Sequence, residues 1–239
     1  MKDIEKAIEI EKTYLEHRMK GEYPFHLVDK VKECGFESLD EYFEAKKKYR
    51  LNKLDFEFIE QEPITGILKC IELFSQQKAF VLFANSDIPF VFLGENGVID
   101  SEYCNKNNIP IVPIFTGGGS IVNLEGDFSF AVCCPVNIID DANYILKEVS
   151  TLLQKYTDKE IAVDGNDILI DGKKVCGSAT YKKHNYFMFV GYFSFSDKTD
   201  LISNICKTTK TGKDVGYIDF INRDAFRKEV SEWLKVHSI

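Results

Sequence analysis

The 239-residue sequence has one tryptophan, three methionines, four histidines and six prolines. Its seven cysteines are scattered, and the adjacent pair Cys133 and Cys134 has no CxxC companion. So few histidines and no paired short spacings argue against a structural zinc site. An odd, unpatterned set of cysteines reads as reduced thiols in a cytoplasmic protein rather than as a disulfide framework. No run approaches the length of a transmembrane helix, and the N-terminus is charged from Lys2 onward with no apolar core behind it. Neither a membrane span nor a secretory signal is therefore expected. An excess of positive charge is missing too. Thirty Lys and Arg against 38 Asp and Glu give a formal net charge of −8, which disfavours nonspecific nucleic-acid binding but leaves room for a local basic pocket.

What is present is ordinary for a globular chain, 44% hydrophobic and 28% charged residues, in a length that suits one large domain or one domain with an appendage. Residues 1–50 are dense in Glu and Lys, and Ile4, Ala7, Ile8, Tyr14 and Leu15 fall near helical spacing. Gly21 and Pro24 interrupt, Leu27, Val31 and Cys34 predict a second short helix, and Ser38 with Glu41 gives a capping start to a third. From residue 54 the pattern changes. LDFEFIEQ alternates as a half-buried strand, ITGILKCIELFSQQ has helical spacing, and KAFVLFANS, IPFVFLG and IPIVPIFT read as short strands around a brief helix, SEYCNKNN. IVNLEGDFSFAVCCP reads as a hairpin or strand pair turning at Glu125–Gly126–Asp127. DANYILKEVSTLLQKY is an amphipathic helix, DILIDGKKVCGSATYKKHNYFMFVGYFSFS a set of strands, and DKTDLISNICK and NRDAFRKEVSEWLKVHSI closing helices, the last capped by Asn222. The expected fold is α+β: a mixed or antiparallel sheet core with packed helices (residues 53–239), preceded by a helical extension (residues 1–52).

Two features carry chemistry. Gly117, Gly118 and Gly119 follow a predicted strand, and three glycines let a ligand lie against exposed amides. The triplet is neither a P-loop nor GxGxxG, and by itself it also fits a flexible turn. Lys174 sits at a strand-connecting turn, ahead of Gly177, Ser178 and Ala179, whose side chains leave the backbone approachable. A fixed ammonium there can hold a carboxylate or phosphate and stabilise developing charge; a solvated surface lysine is the plain alternative. Asn166 and Asp167 can hydrogen-bond a base or ribose or hold magnesium, or simply open the strand as an Asx turn.

Taken together, FLGENG (92–97), TGGGSIVNLEGDFSF (116–130), GNDILIDGKKVCGSA (165–179) and VGYFSFSDKTDLI (190–202) resemble the lipoate–protein ligase family, within the superfamily of biotin–protein ligases and octanoyltransferases. The resemblance spans about residues 54–235. It implies a biotin/lipoate ligase-like catalytic domain that condenses lipoate with MgATP to lipoyl-AMP and passes the acyl group to a lysine of a lipoyl carrier. The carrier would be a glycine-cleavage H-protein or an acyltransferase lipoyl domain. Carried across, Lys174 is the catalytic lysine; Gly117, Gly118, Gly119, Ser120, Asn123, Gly177, Ser178 and Ala179 line the acyl and substrate pocket. Asn166 and Asp167 face the nucleotide, with Asp167 toward the Mg2+, and the Phe- and Val-rich strands wall an apolar tunnel.

The sequence also departs from the family. Arginines that bind the adenylate phosphate are replaced by Pro113, Ile114 and Phe115; a His-Asp after the triplet reads Asn123–Leu124; a His-Gly-Thr reads Val190–Gly191–Tyr192. The small C-terminal accessory domain of many ligases has no counterpart within the 239 residues, and the N-terminal extension is unusual. Lys182, Lys183, Lys210 and Lys213 are candidate substitutes for the phosphate contact. Three functions remain: an ATP-dependent ligase, an ATP-independent octanoyl or lipoyl transferase between carriers with Cys176 as candidate nucleophile, and a non-catalytic lipoyl-binding relative. An acidic chain acting on acidic carriers needs a local basic surface, for which Lys173, Lys174, Lys182 and Lys183 are the candidates. Reversing Lys182 and Lys183 to Glu is expected to weaken carrier binding in a titration at low salt, and unchanged affinity there would remove the idea.

Overall fold

The charged first fifty residues fold as the spacing of their apolar positions requires. In the computed structural model, which describes residues 2–114, 119–207 and 215–236, they form α1 (Ile4–Met19), α2 (Leu27–Glu33) and α3 (Leu39–Asn52). These helices bury one small cluster, Ala7, Val31, Cys34, Phe36 and Tyr42. Asp3 caps α1 by accepting the Lys6 N–H at 3.0 Å, and Ser38 Oγ accepts the Glu41 N–H at 3.1 Å. The Tyr42 hydroxyl donates to Glu11 at 2.5 Å, and Lys46 pairs with the same carboxylate. The chain divides into two units, Met1–Asp55 with Leu234–Ile239, and Phe56–Trp233. By number, every candidate site residue belongs to the second.

In that second unit, β1 (Glu57–Gln61), α4 (Pro63–Ser75) and β2 (Phe80–Asn85) make a crossover that leaves β1 and β2 parallel. Next come β3 (Phe90–Leu93), α5 (Ser101–Lys106), β4 (Ile111–Pro113), β5 (Ser120–Asn123) and β6 (Phe128–Pro135). The chain continues through α6 (Ala142–Gln154), β7 (Ile161–Asp164), β8 (Asp167–Ile170), β9 (Lys173–Lys183), β10 (Tyr186–Phe193), α7 (Thr199–Ile205) and α8 (Arg223–Val236). Seven strands form one sheet in the order β1-β2-β6-β10-β9-β8-β7, and three form a second, β4-β3-β5. The α+β class expected from the sequence is the class observed. The strand β7 goes unmarked in the sequence because only four residues carry its alternation.

The turns follow from local chemistry. Asp171 and Gly172 take φ of 48° and 76° between β8 and β9, and His184 and Asn185 take 51° and 64° between β9 and β10. Both are two-residue hairpin loops with two positive φ angles, and Asp-Gly is a favoured pair for them. One expected hairpin is absent. β5 and β6 do not pair; they lie in different sheets, and the Glu125–Gly126–Asp127 turn is the link between them.

Period-two alternation gives the large sheet two unlike faces. On one, Phe83, Phe128, Phe130, Phe189 and Phe193 form a continuous aromatic layer, closed by Phe226 of α8 at 5.0 Å from Phe193. Gly191 sits among these rings, and a Cβ there would come within 2.9 Å of Phe189. The other face, with Leu82, Ala84, Ala131, Cys133 and Met188, packs against Cys70, Leu73 and Phe74 of α4. Seven cysteines are free and buried, and among the described residues no helix is long and apolar enough to cross a membrane. Phe193→Ala is expected to cost about 3–5 kcal/mol, as removal of a buried ring from a packed layer does. Urea unfolding measures it, and a loss below about 1 kcal/mol would contradict the aromatic layer's role.

Candidate functional site

Lys174 stands on the face of the sheet that packs against α4, and pairing register puts it there. Asp167 pairs with Gly177 and Ile168 with Cys176, but Leu169 pairs with Lys174. Val175 is left over, so β9 carries a bulge. In an unbroken strand Lys174 and Cys176 would share a face; the extra residue turns Lys174 to the side of Gly177. Both backbone groups at the bulge are held: the Ser194 N–H donates to the Val175 carbonyl at 2.9 Å, and the Gly216 N–H to the Lys174 carbonyl at 2.9 Å.

Gly177 is the seat of the lysine side chain. A Cβ at this position would lie 3.0 Å from Lys174 Cε, 3.1 Å from Nζ and 3.7 Å from Asp167 Oδ1. The ammonium itself is 2.7 Å from Asp167 Oδ1, and both side chains are part-exposed. An exposed pair of this kind is worth about 0–1 kcal/mol, so an incoming anion displaces Asp167 at small cost. Across from Gly177 is Tyr192, whose phenol burial pushes well above its usual range.

Tyr192 also lines an apolar cleft between α4 and the sheet, with Gly66, Cys70, Ile114, Met188 and Val190 among its walls. The cleft is partly open, with a volume of ≈ 30 Å³ among the described residues. Phe92 reaches Tyr192 from the small sheet, ring centroids 5.3 Å apart. On the same face of β5 as the Phe92 partner Ile121, Asn123 is buried, and its Nδ2 has no hydrogen-bond partner among the described residues. Ser120 Oγ is likewise buried without one. Buried, unpaired polar atoms of this kind are costly and suit a ligand's acceptor or donor. The strand begins from Gly119, whose carbonyl accepts the Gly94 N–H at 2.9 Å, so FLGENG lies against the end of the glycine segment.

The sequence candidates separate accordingly. Lys174, Asp167, Gly177 and Ala179 share the cleft face by register. Ser178 faces the other way, and its Oγ and N–H both donate to the Asn166 carbonyl, at 2.8 and 2.9 Å, pinning the β7–β8 turn. Cys176 pairs with Phe193 on the aromatic side, is 1% exposed, and burial pushes its thiol far above the range in which a thiolate forms at neutral pH. Gly117, Gly118 and Phe115, with Lys210 and Lys213, lie outside the described residues. Pro113 ends β4 and Ile114 is a cleft wall, so neither supplies a cation. Lys173 and Lys174 do not form one patch with Lys182 and Lys183: the pairs sit at opposite ends of β9, about 26 Å apart at roughly 3.3 Å per residue. No group of three His, Cys, Asp or Glu side chains converges among the described residues, so Asp167 is a single carboxylate rather than part of a metal cage. The Lys198–Asp127 ion pair, with side chains 7% and 1% exposed, escapes sequence reading altogether, because its members are 71 residues apart.

Comparison with known proteins gives a consistent set of relatives. The model of the lipoyl protein ligase A/B catalytic domain matches residues 69–225. Lipoate-protein ligase LplJ of Bacillus subtilis (strain 168) is 23% identical over 150 residues, 59% of this chain and 44% of that protein. The chain thus spans less than half the length of this curated relative. Among solved structures, a bi-partite lipoate protein ligase from the lipoylation system of Thermoplasma acidophilum superposes with a TM-score of 0.64 at 19% identity, over 77% of this chain and 84% of that one. Lipoate-protein ligase A bound with ATP gives 0.62 at 16% identity, over 78% and 85%. P. falciparum LipL1 in complex with lipoate gives 0.61 at 15% identity, over 74% and 60%. At these identities the structures share the fold. Treated with iodoacetamide while folded, the protein is expected to leave Cys176 unlabelled by peptide mass, and to label it once urea unfolds the chain; rapid labelling of the folded protein would contradict the placement of this thiol.

Proposed function

The chain belongs to the lipoyl protein ligase A/B catalytic domain family, and on that premise we propose that it attaches lipoate, or octanoate, to a lysine of a lipoyl carrier protein through a lipoyl-AMP intermediate. The observation that carries the reading is the Lys174 ammonium resting on Gly177, on the same sheet face as an apolar cleft and directly across from Tyr192.

The first step joins the acyl carboxylate to the α-phosphorus of ATP and releases pyrophosphate. In the second, a carrier lysine amine attacks the acyl carbonyl and AMP leaves. Both steps gather negative charge beside the acyl carbonyl, and Lys174 is the cation that meets it once the anion displaces Asp167. The cleft between α4 and the sheet takes the acyl chain. Asn123 Nδ2, on the face of β5 that it shares with Ile121, offers an unpaired polar atom to the ligand. Mg2+ would come as the ATP complex, held by its phosphates and one or two carboxylates, and Asp167, paired with Lys174, would be a carboxylate to hold it. The carrier is a lipoyl domain, the partner class with which the Thermoplasma ligase is described. A carrier held by Lys182 and Lys183 would have to span the length of β9 to deliver its lysine to Lys174.

Pro113 and Ile114, where relatives are expected to bear phosphate-binding arginines, favour a second reading, acyl transfer between carriers without ATP. Its thioester would need a nucleophile other than Cys176, which lies on the opposite side of the sheet.

The deciding measurement is the intact mass of an apo lipoyl domain after incubation with the protein and lipoate, with and without MgATP. A lipoyl mass increment that requires ATP is expected. Lys174→Ala should abolish it. Gly177→Ala should leave the fold intact, since the crowded atoms are the flexible end of a lysine, yet slow the reaction by about tenfold to a hundredfold by displacing the ammonium. An increment obtained only from an acylated carrier donor would establish the transferase instead. No increment under either condition would reject both enzymes.

A further inference from the structure

The ion pair between Lys198 and Asp127 does more than fill space. Lys198 Nζ lies 2.8 Å from Asp127 Oδ2 and 2.8 Å from the Val122 carbonyl. Asp127 also accepts the Leu124 N–H at 2.9 Å through Oδ2 and the Phe195 N–H at 3.0 Å through Oδ1. Four pieces of chain therefore meet at two side chains: the edge of β5, the turn that leaves it, the segment after β10 and the start of α7. Among the described residues β5 pairs with β3 alone, which leaves its other edge free, and the lysine satisfies the Val122 carbonyl.

A buried ion pair is a poor source of stability, for apolar residues of similar volume often do as well or better. What charge and directed hydrogen bonds supply is a fixed geometry. β5 carries Asn123, whose buried Nδ2 lacks a partner among the described residues, on the same face as Ile121, and Phe92 beside Ile121 reaches Tyr192. β10, just ahead of Lys198, carries Tyr192 opposite Gly177.

We propose that Lys198, clamped by Asp127, is a positioning residue that fixes the free edge of β5, and with it Asn123, against the sheet face that bears Lys174. The functional half of this inference rests on the reading of the site as an acyl pocket. Lys198 touches no reacting atom; it acts through the strand.

The test uses the full chain with Asp127→Asn and Lys198→Met combined. Asparagine keeps an acceptor for one of the two backbone N–H groups, which bind different carboxylate oxygens, and no lone charge stays buried. The double variant is expected to remain folded by near-UV circular dichroism, with amide hydrogen exchange at Ile121–Asn123 at least tenfold faster. Its KM for lipoate should rise about tenfold while KM for the carrier stays put, a split that simple loss of folded enzyme does not produce. If the double variant does not fold, Lys198→Arg, which keeps the charge and moves the donor, is expected to show the same KM split. Unchanged exchange at Ile121–Asn123 in the folded double variant overturns the proposal. So does faster exchange with an unchanged KM for lipoate, and so does wild-type behaviour of Lys198→Arg where that variant carries the test. A wild-type chain that does not use lipoate refutes the proposed function instead, and the exchange rates then decide whether Lys198 holds the strand.

Discussion

β9 pairs with β8 through Asp167 and Gly177 at one point and through Leu169 and Lys174 at the next, with Val175 unmatched between them. The site depends on that one extra residue. Side chains alternate with a period of two, so a single insertion transfers everything beyond it to the other face. Without it, Lys174 would point with Cys176 into the aromatic layer, where an unpaired ammonium is prohibitively costly. With it, the ammonium stands in a part-exposed position over a glycine, beside an apolar cleft. The backbone hydrogen bonds from Ser194 and Gly216 hold the distortion in place.

The two faces of the sheet divide the labour. The aromatic side is filled by rings that interlock across three strands and α8, and burying such rings removes substantial apolar area from water. The α4 side holds the cleft, whose lining mixes small residues such as Gly66, Cys70 and Ala84 with Leu82 and Tyr192. The same sheet thus offers a filled backing and a face with an opening, which suits a site that must admit an acyl chain beside one cation.

The small sheet meets that face through Phe92 and Tyr192 and through the buried Lys198–Asp127 pair. Its strand β5 brings one unpaired polar atom, Asn123 Nδ2, rather than a cation to the site. Where relatives are expected to place arginines, this chain has a proline at the end of β4 and an isoleucine in the cleft wall. The cationic character of the described site therefore rests heavily on Lys174, and the weak partnership with Asp167 keeps that charge available to a ligand.

Much was legible in the sequence. Apolar periodicity marked the three N-terminal helices, α4, α6 and α8, because a helix or strand buries one face and the pattern records it. The strands and connecting turn of DILIDGKKVCGSATYKKHNYFMFVGYFSFS were legible too, and Asp171 and Gly172 make that turn because those residues tolerate positive φ. The clustering of GGG, Gly-Lys-Lys and Gly-Ser-Ala marked the family, and with it Lys174. Three things only the tertiary structure decided. The β5–β6 link joins two sheets rather than closing a hairpin, since pairing depends on which strand edges are free. Cys176 and Lys174 occupy opposite faces, since a bulge leaves no trace in composition. Lys198 and Asp127 meet although they are 71 residues apart, since a local pattern cannot show that a surface-type residue has been buried by a distant partner.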